Sequence, residues 1–195
     1  MNLIEDKHVR SSNLRILPGK ETAYELFWSP DSSTIGYFSA GQLHSISVQG
    51  TNHNVLAAAP DPAGAAWRGG VSDGEIFFAS ARSLRVLDLA TRKVRELALK
   101  LPESERALQP VFLPEGDGFV YLGGPLNAPQ LFQSSLRASG AGRFLLDTHW
   151  RIEFARHPRT GQWHIFYLGS LYPSTPLQFD NAATMSSSFL VTQIA

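Results

Sequence analysis

Phe27-Trp28-Ser29-Pro30-Asp31-Ser32-Ser33-Thr34-Ile35-Gly36-Tyr37-Phe38 is the stretch on which the fold turns. An aromatic anchor runs into a tight turn, and the turn into a short run of β-branched and aromatic residues. Pro30 presets φ at the second position of the turn, and Asp31 offers its carboxylate to nearby backbone N–H groups. The run Thr34–Phe38 suits a pleated, half-buried surface and reads as a strand.

The same order recurs along the chain. Aromatic anchors stand at Trp28, Trp67, Phe112 and Phe154, with spacings of 39, 45 and 42 residues. Each is followed by a turn and then by TIGYF (34–38), EIFFA (75–79), FVYLG (119–123) or WHIFYL (163–168). Second runs follow: LHSISV (43–48), LRVLDL (84–89), LFQSSL (131–136) and TPLQF (175–179). NVLAA (54–58), VRELAL (94–99) and RFLLD (143–147) close the first three units, and SSFLVTQI (187–194) closes the fourth. Asp73-Gly74, Gly116-Asp117-Gly118 and Thr160-Gly161 supply turn residues that tolerate positive φ. In LRVLDL, Leu84, Val86 and Asp88 face one way and Arg85, Leu87 and Leu89 the other, the alternation of a strand.

Four short strands per repeat of about 40 residues is the pattern of a propeller blade. The sequence therefore predicts an all-β chain, a β-propeller of about four four-stranded blades plus part of another, as a partial or fragmentary ring. Residues 1–195 form one region, with blades at about 23–60, 63–100, 108–148 and 150–195, and residues 8–17 as the tail of a preceding blade. PESERAL (102–108) is expected as a surface loop with at most one helical turn. Trp28 and Trp67 hold the same place in successive repeats, so both are expected to be buried between blades.

Composition narrows the partners. Seventeen basic and seventeen acidic residues cancel, which is not the footprint of a nucleic-acid binder. There is no cysteine, hence no disulfide and no thiolate metal site. No apolar stretch approaches the roughly 20 residues of a membrane span. MNLIEDKHVR lacks the apolar core of a signal peptide.

Phe27-Trp28-Ser29-Pro30-Asp31-Ser32 resembles the W-S-P-D-G hallmark of TolB-like propellers, with Ser32 in the usual glycine's place. FWSPDSSTIGYFSAGQLHSISVQG (27–50), PVFLPEGDGFVYLGG (110–124), LYPSTPLQFD (171–180) and LRILPGKETAY (14–24) resemble, in that order, the blades attached to bacterial eukaryote-like serine/threonine kinases. The resemblance implies a sensor region on an extracytoplasmic (periplasmic) side, with further blades or a kinase domain on a longer parent chain. The chain itself carries no Gly-rich ATP loop, no H-R-D and no D-F-G.

Other residues invite chemistry and have plainer readings. Gly70-Val71-Ser72-Asp73-Gly74 fits the G-x-S-x-G nucleophile elbow, but that elbow needs a following helix, and Glu75-Ile76-Phe77-Phe78 reads as a strand. His8, His44, His53, His149, His157 and His164 show no metal-ligand spacing; His157 and His164 flank one turn, and two ligands do not make a zinc site. Glu103 with Glu105, and Glu115 with Asp117, read as solvated loop charge. Trp150 and Trp163 lie outside the anchor register and are the candidates for exposed stacking, with core packing as the favoured reading even for them. No catalytic, cofactor or metal residue is assigned. The expected function is a non-enzymatic binding or sensing scaffold that takes a protein or small-molecule ligand at the blade-end loops. The alternatives are a TolB-type periplasmic protein-docking module and the gating propeller of a prolyl-oligopeptidase-like serine peptidase lacking its catalytic domain.

Overall fold

The computed structural model describes residues 22–101, 105–113, 116–125, 127–148, 152–156 and 163–167, the last two runs by their backbone alone. Tyr24–Trp28 (β1), Thr34–Ser39 (β2), Gln42–Ser47 (β3) and Asn54–Ala58 (β4) form one antiparallel sheet, ordered as they follow in the chain. Pro62–Arg68 (β5), Glu75–Ser80 (β6), Ser83–Asp88 (β7) and Lys93–Glu96 (β8) form the second. Leu108–Phe112 (β9), Gly118–Gly123 (β10), Gln130–Ser135 (β11) and Arg143–Asp147 (β12) form the third. Ile152–Arg156 (β13) and Trp163–Tyr167 (β14) pair as a hairpin. Among the described residues there is no helix. Residues 105–107 are irregular and Leu108 opens β9, so the one-turn helix allowed for 102–108 is not formed there; 102–104 lie outside the described residues. So do residues 8–17, 175–179 and 187–194.

Each four-stranded sheet is a blade, and the second blade buries both of its faces. Phe77, Ala79, Leu84 and Val86 of the second blade pack with Phe119, Tyr121 and Leu136 of the third. Ile76, Phe78, Leu87 and Leu89 point the other way, onto Phe38, Leu43 and Ala59 of the first. This is the alternation of LRVLDL made physical: even and odd positions serve different neighbours. Phe77 and Phe119 meet edge to face, ring centroids 4.6 Å apart, across the second seam.

The anchors share one register. Trp28 pairs with Ile35, Trp67 with Ile76 and Phe112 with Phe119. Their surroundings differ. Trp67 is 9% exposed, covered by Phe27 of the preceding inner strand with ring centroids 6.2 Å apart. Phe27 can lie there because its cross-strand partner is Gly36, where any Cβ would enter its ring. Trp28 is 58% exposed, against the expectation. Its face turns away from the second blade, and no described strand stands over it. Trp28→Ala should accordingly move the urea unfolding free energy by about 0.5 kcal/mol or less, as for a surface substitution.

Candidate functional site

The antiparallel order sorts the loops into two ends. Turns 29–33 and 69–74, which join first to second strands, and residues 113 and 116–117, which flank the corresponding connection in the third blade, gather at one end. The segments that cross from one blade to the next gather at the other, with the two-residue turns Ala40-Gly41 and Ala81-Arg82. The crossing at 59–61 is pinned from both sides. Ala59 N donates to Gly41 O at 2.8 Å, and Ala81 N donates to Pro60 O at 2.8 Å.

At the crossing end the inner strands share an irregularity. Glu25, Gly64 and Gln109 each lie three residues before an anchor, and all have positive φ: 50°, 100° and 45°. Each sits where strand pairing shifts register. An extra residue of this kind kinks an inner strand and re-aims its side chain. Gly64 is required there, because a Cβ would stand 2.8 Å from Gln109 Cα. The Gln109 Oε1 is buried and has no hydrogen-bond partner. Three residues earlier in the chain, Arg106 Nη1 bonds Asp61 Oδ2 at 2.5 Å, tying the crossing before β9 to the crossing before β5. A buried amide oxygen, a carboxylate and a guanidinium next to converging loops can orient a polar ligand.

The opposite end is held by structural polar contacts. Ser29 Oγ donates to Asp31 Oδ1 at 2.6 Å, and Ser33 N donates to the same oxygen at 3.1 Å. These bonds from Ser29 and Ser33 hold the Asp31 carboxyl below the ordinary carboxylate range. Arg68 donates to Glu75 Oε2 at 2.5 Å and to Gly116 O at 3.0 Å. Its guanidinium carbon also lies 4.3 Å from the Phe112 ring centroid, so it clips the second blade to the third.

Ser72 sits exposed in the turn 71–73, with Gly74 N donating to Gly70 O at 2.9 Å, and strand β6 follows directly. The G-x-S-x-G match is a hairpin turn and lacks the strand-to-helix geometry of a nucleophile elbow. Ser72→Ala should leave the thermal midpoint within about 1 °C, because an exposed turn hydroxyl has little to lose; a thermal melt of the variant beside its parent measures it.

His44 and His53 come together, stacked at 5.4 Å, with Tyr37 over His44 at 5.1 Å. Tyr37 Oη lies 2.7 Å from His53 Nε2. Parallel rings of this kind do not converge on a common ion, and among the described residues no three His, Asp or Glu cluster as metal ligands. Asp117 bonds Arg137 at 2.7 Å and Glu105 is half-buried, while Glu103 and Glu115 lie outside the described residues. Trp163 pairs with Arg156 and His164 with Ala155 along the backbone. His8, His149, His157 and Trp150 lie outside the described residues. The bulge series and the Asp61–Arg106 pair escape a sequence reading, although Gly64 inside a strand is the signal of a bulge.

No protein-family model and no curated protein matches the chain in sequence. Solved structures do match in fold. TolB of Acinetobacter baumannii is similar at a TM-score of 0.50 and 14% identity, over 76% of this chain and 41% of that one. An auxiliary nutrient binding protein of Bacteroides thetaiotaomicron gives a TM-score of 0.54 and 10% identity, over 74% and 42%. A puromycin-hydrolyzing peptidase of Mycobacterium tuberculosis gives 0.50 and 15%, over 73% and 27%. The matched chains are thus more than twice as long as the part of them that this chain spans. The class is defined by these likenesses and by the blades: the chain is a β-propeller scaffold, similar in fold to TolB and related propellers. Among the described residues no helix is long and apolar enough to cross a membrane.

Proposed function

We propose that the chain is a non-enzymatic binding scaffold, of the kind that forms the sensor region of bacterial receptor-type serine/threonine kinases. The ligand sits at the crossing end, which carries Asp61, Arg106 and Gln109. The observation that carries this reading is the unpartnered, buried Gln109 Oε1, at the same end of the blades as the Asp61–Arg106 pair. A polar group left unsatisfied in the interior costs free energy unless a ligand satisfies it. The kinase association rests on the sequence resemblance of the FWSPDS and PVFLPEGDGF stretches. Two experiments test the proposal. The coding sequence upstream should carry a kinase domain and a membrane span; a hydrolase domain on the same chain would replace this reading with that of a gating propeller. Screening a library of small polar ligands by thermal shift should return ligands whose stabilisation disappears in Asp61→Ala/Arg106→Ala. Hits that bind the double variant equally well would move the site elsewhere.

A TolB-type docking role is the second reading. Val55, Val94 and Phe144, exposed on the outer strands β4, β8 and β12, favour it. Such apolar residues on outer edges suit contact with a protein partner.

A further inference from the structure

The three blades correspond residue by residue at the hairpin between their second and third strands. Ser39 stands opposite Gln42 in the first blade, Ser80 opposite Ser83 in the second and Gly123 opposite Gln130 in the third. Two residues further from the turn, the cross-strand pairs are Tyr37 with His44, Phe78 with Arg85 and Tyr121 with Phe132.

In the second blade the polar groups at these places have partners. Ser80 is fully buried, and its Oγ donates to Pro60 O at 2.7 Å. Arg85 Nε donates to Ser83 Oγ at 3.1 Å. The third blade has nothing to satisfy, because Gly123 and Phe132 fill the two places, and Tyr121 stacks on Phe132 at 5.5 Å. The first blade keeps that stack, with Tyr37 on His44 at 5.1 Å, yet puts polar residues at both places. Ser39 and His44 are 1% and 3% exposed, and neither Ser39 Oγ nor His44 Nδ1 has a partner. Buried groups of this sort are nearly always satisfied.

The geometry around His44 says where its partner lies. Its Nε2 is 3.3 Å from Ser39 O. A carbonyl only accepts, so Nε2 carries the proton and Nδ1 keeps a lone pair in the plane of the ring. Tyr37 and His53 lie against the faces of the ring, at interplanar angles of 11° and 20°, and offer that lone pair no donor. His53 Nε2 is engaged with Tyr37 Oη at 2.7 Å. The edge of the ring reaches toward Ser39, whose hydroxyl is an unused donor on the same face of the adjacent strand. The missing partner is neutral in kind, since no Asp, Glu, Lys or Arg occurs between Asp31 and Asp61 to offset an ion. It must accept one hydrogen bond and donate another, and a single water does both.

We propose that the first blade holds a buried water, which accepts from Ser39 Oγ and donates to His44 Nδ1 beside the Ala40-Gly41 turn. Solvent thus supplies for Ser39 the bond that the Pro60 carbonyl supplies for Ser80.

A high-resolution crystal structure of the full chain should show a density peak within about 2.6–3.2 Å of both atoms. Empty density between them, or Ser39 Oγ bonded directly to His44 Nδ1, would overturn the proposal. Urea denaturation reads the same site in solution through Ser39→Ala, His44→Phe and the double variant, which gives the first blade an apolar pair like that of the third. Each single change leaves the water and the remaining polar atom short of a partner, so the double variant should shift the midpoint by less than the sum of the two singles. Shifts that simply add would show that the two atoms share no water.

Discussion

Trp67→Ala should lower the free energy of unfolding by about 3–5 kcal/mol, the usual cost of truncating a buried aromatic to alanine. The indole fills the seam between the first two blades, 9% exposed, against Phe27 and among Phe38, Ile76 and Phe78. Its Nε1 reaches Gly70 O at 3.4 Å, so a weak polar tie goes with the packing. Removing it leaves a cavity that two stiff sheets cannot close. Urea denaturation measures the effect, and Trp28→Ala is the matched control. The two positions share a register and a residue type, and Trp67 has in addition the cover of Phe27 and the Nε1 bond to Gly70 O. Equal losses at both would mean that packing between blades does not set the difference.

Gly64→Ala should cost about 2–5 kcal/mol. Two effects add. The residue sits at φ 100°, where a side chain is strained, and the new methyl would meet the Gln109 Cα at 2.8 Å. That neighbour is main chain, and it belongs to the next inner strand, so relief requires β5 and β9 to move apart. The same substitution at Gly41, where a Cβ meets nothing within 4 Å, carries the strain of its φ of 72° alone. Comparing the two variants in one denaturation series separates strain from collision; a Gly64→Ala loss no greater than that of Gly41→Ala would show that the inner strands are not in close contact.

The strands of the sheet centres were legible because their signals are local. TIGYF, EIFFA and FVYLG fall within β2, β6 and β10, each preceded by turn residues and each buried on both faces. The inner strands were harder to read. An extra residue at Glu25, Gly64 or Gln109 breaks the two-residue alternation on which strand recognition depends. VRELAL was read too long, because Leu99 leaves its own sheet to bridge Gly140 of the next blade. The exposure of Trp28 was not legible at all. Composition and spacing give a residue its place in a blade, whereas burial depends on what stands opposite. For the site, Ser72 was legible as a turn because the next residues spell a strand. Asp61 and Arg106 were not legible as a pair, because 45 residues separate them and only the stacking of blades brings their crossings together.

The chain leaving β8 bonds Gly140 from both sides: Gly140 N donates to Ala98 O at 3.0 Å, and Lys100 N donates to Gly140 O at 3.2 Å. At the earlier seam Ala81 N, in the second blade, likewise donates to Pro60 O at 2.8 Å, in the crossing that leaves the first. Each crossing is thus bonded by main chain to the blade ahead of it, so neighbouring blades are coupled like links of one chain: a displacement of one passes to the next through the backbone as well as through packed side chains.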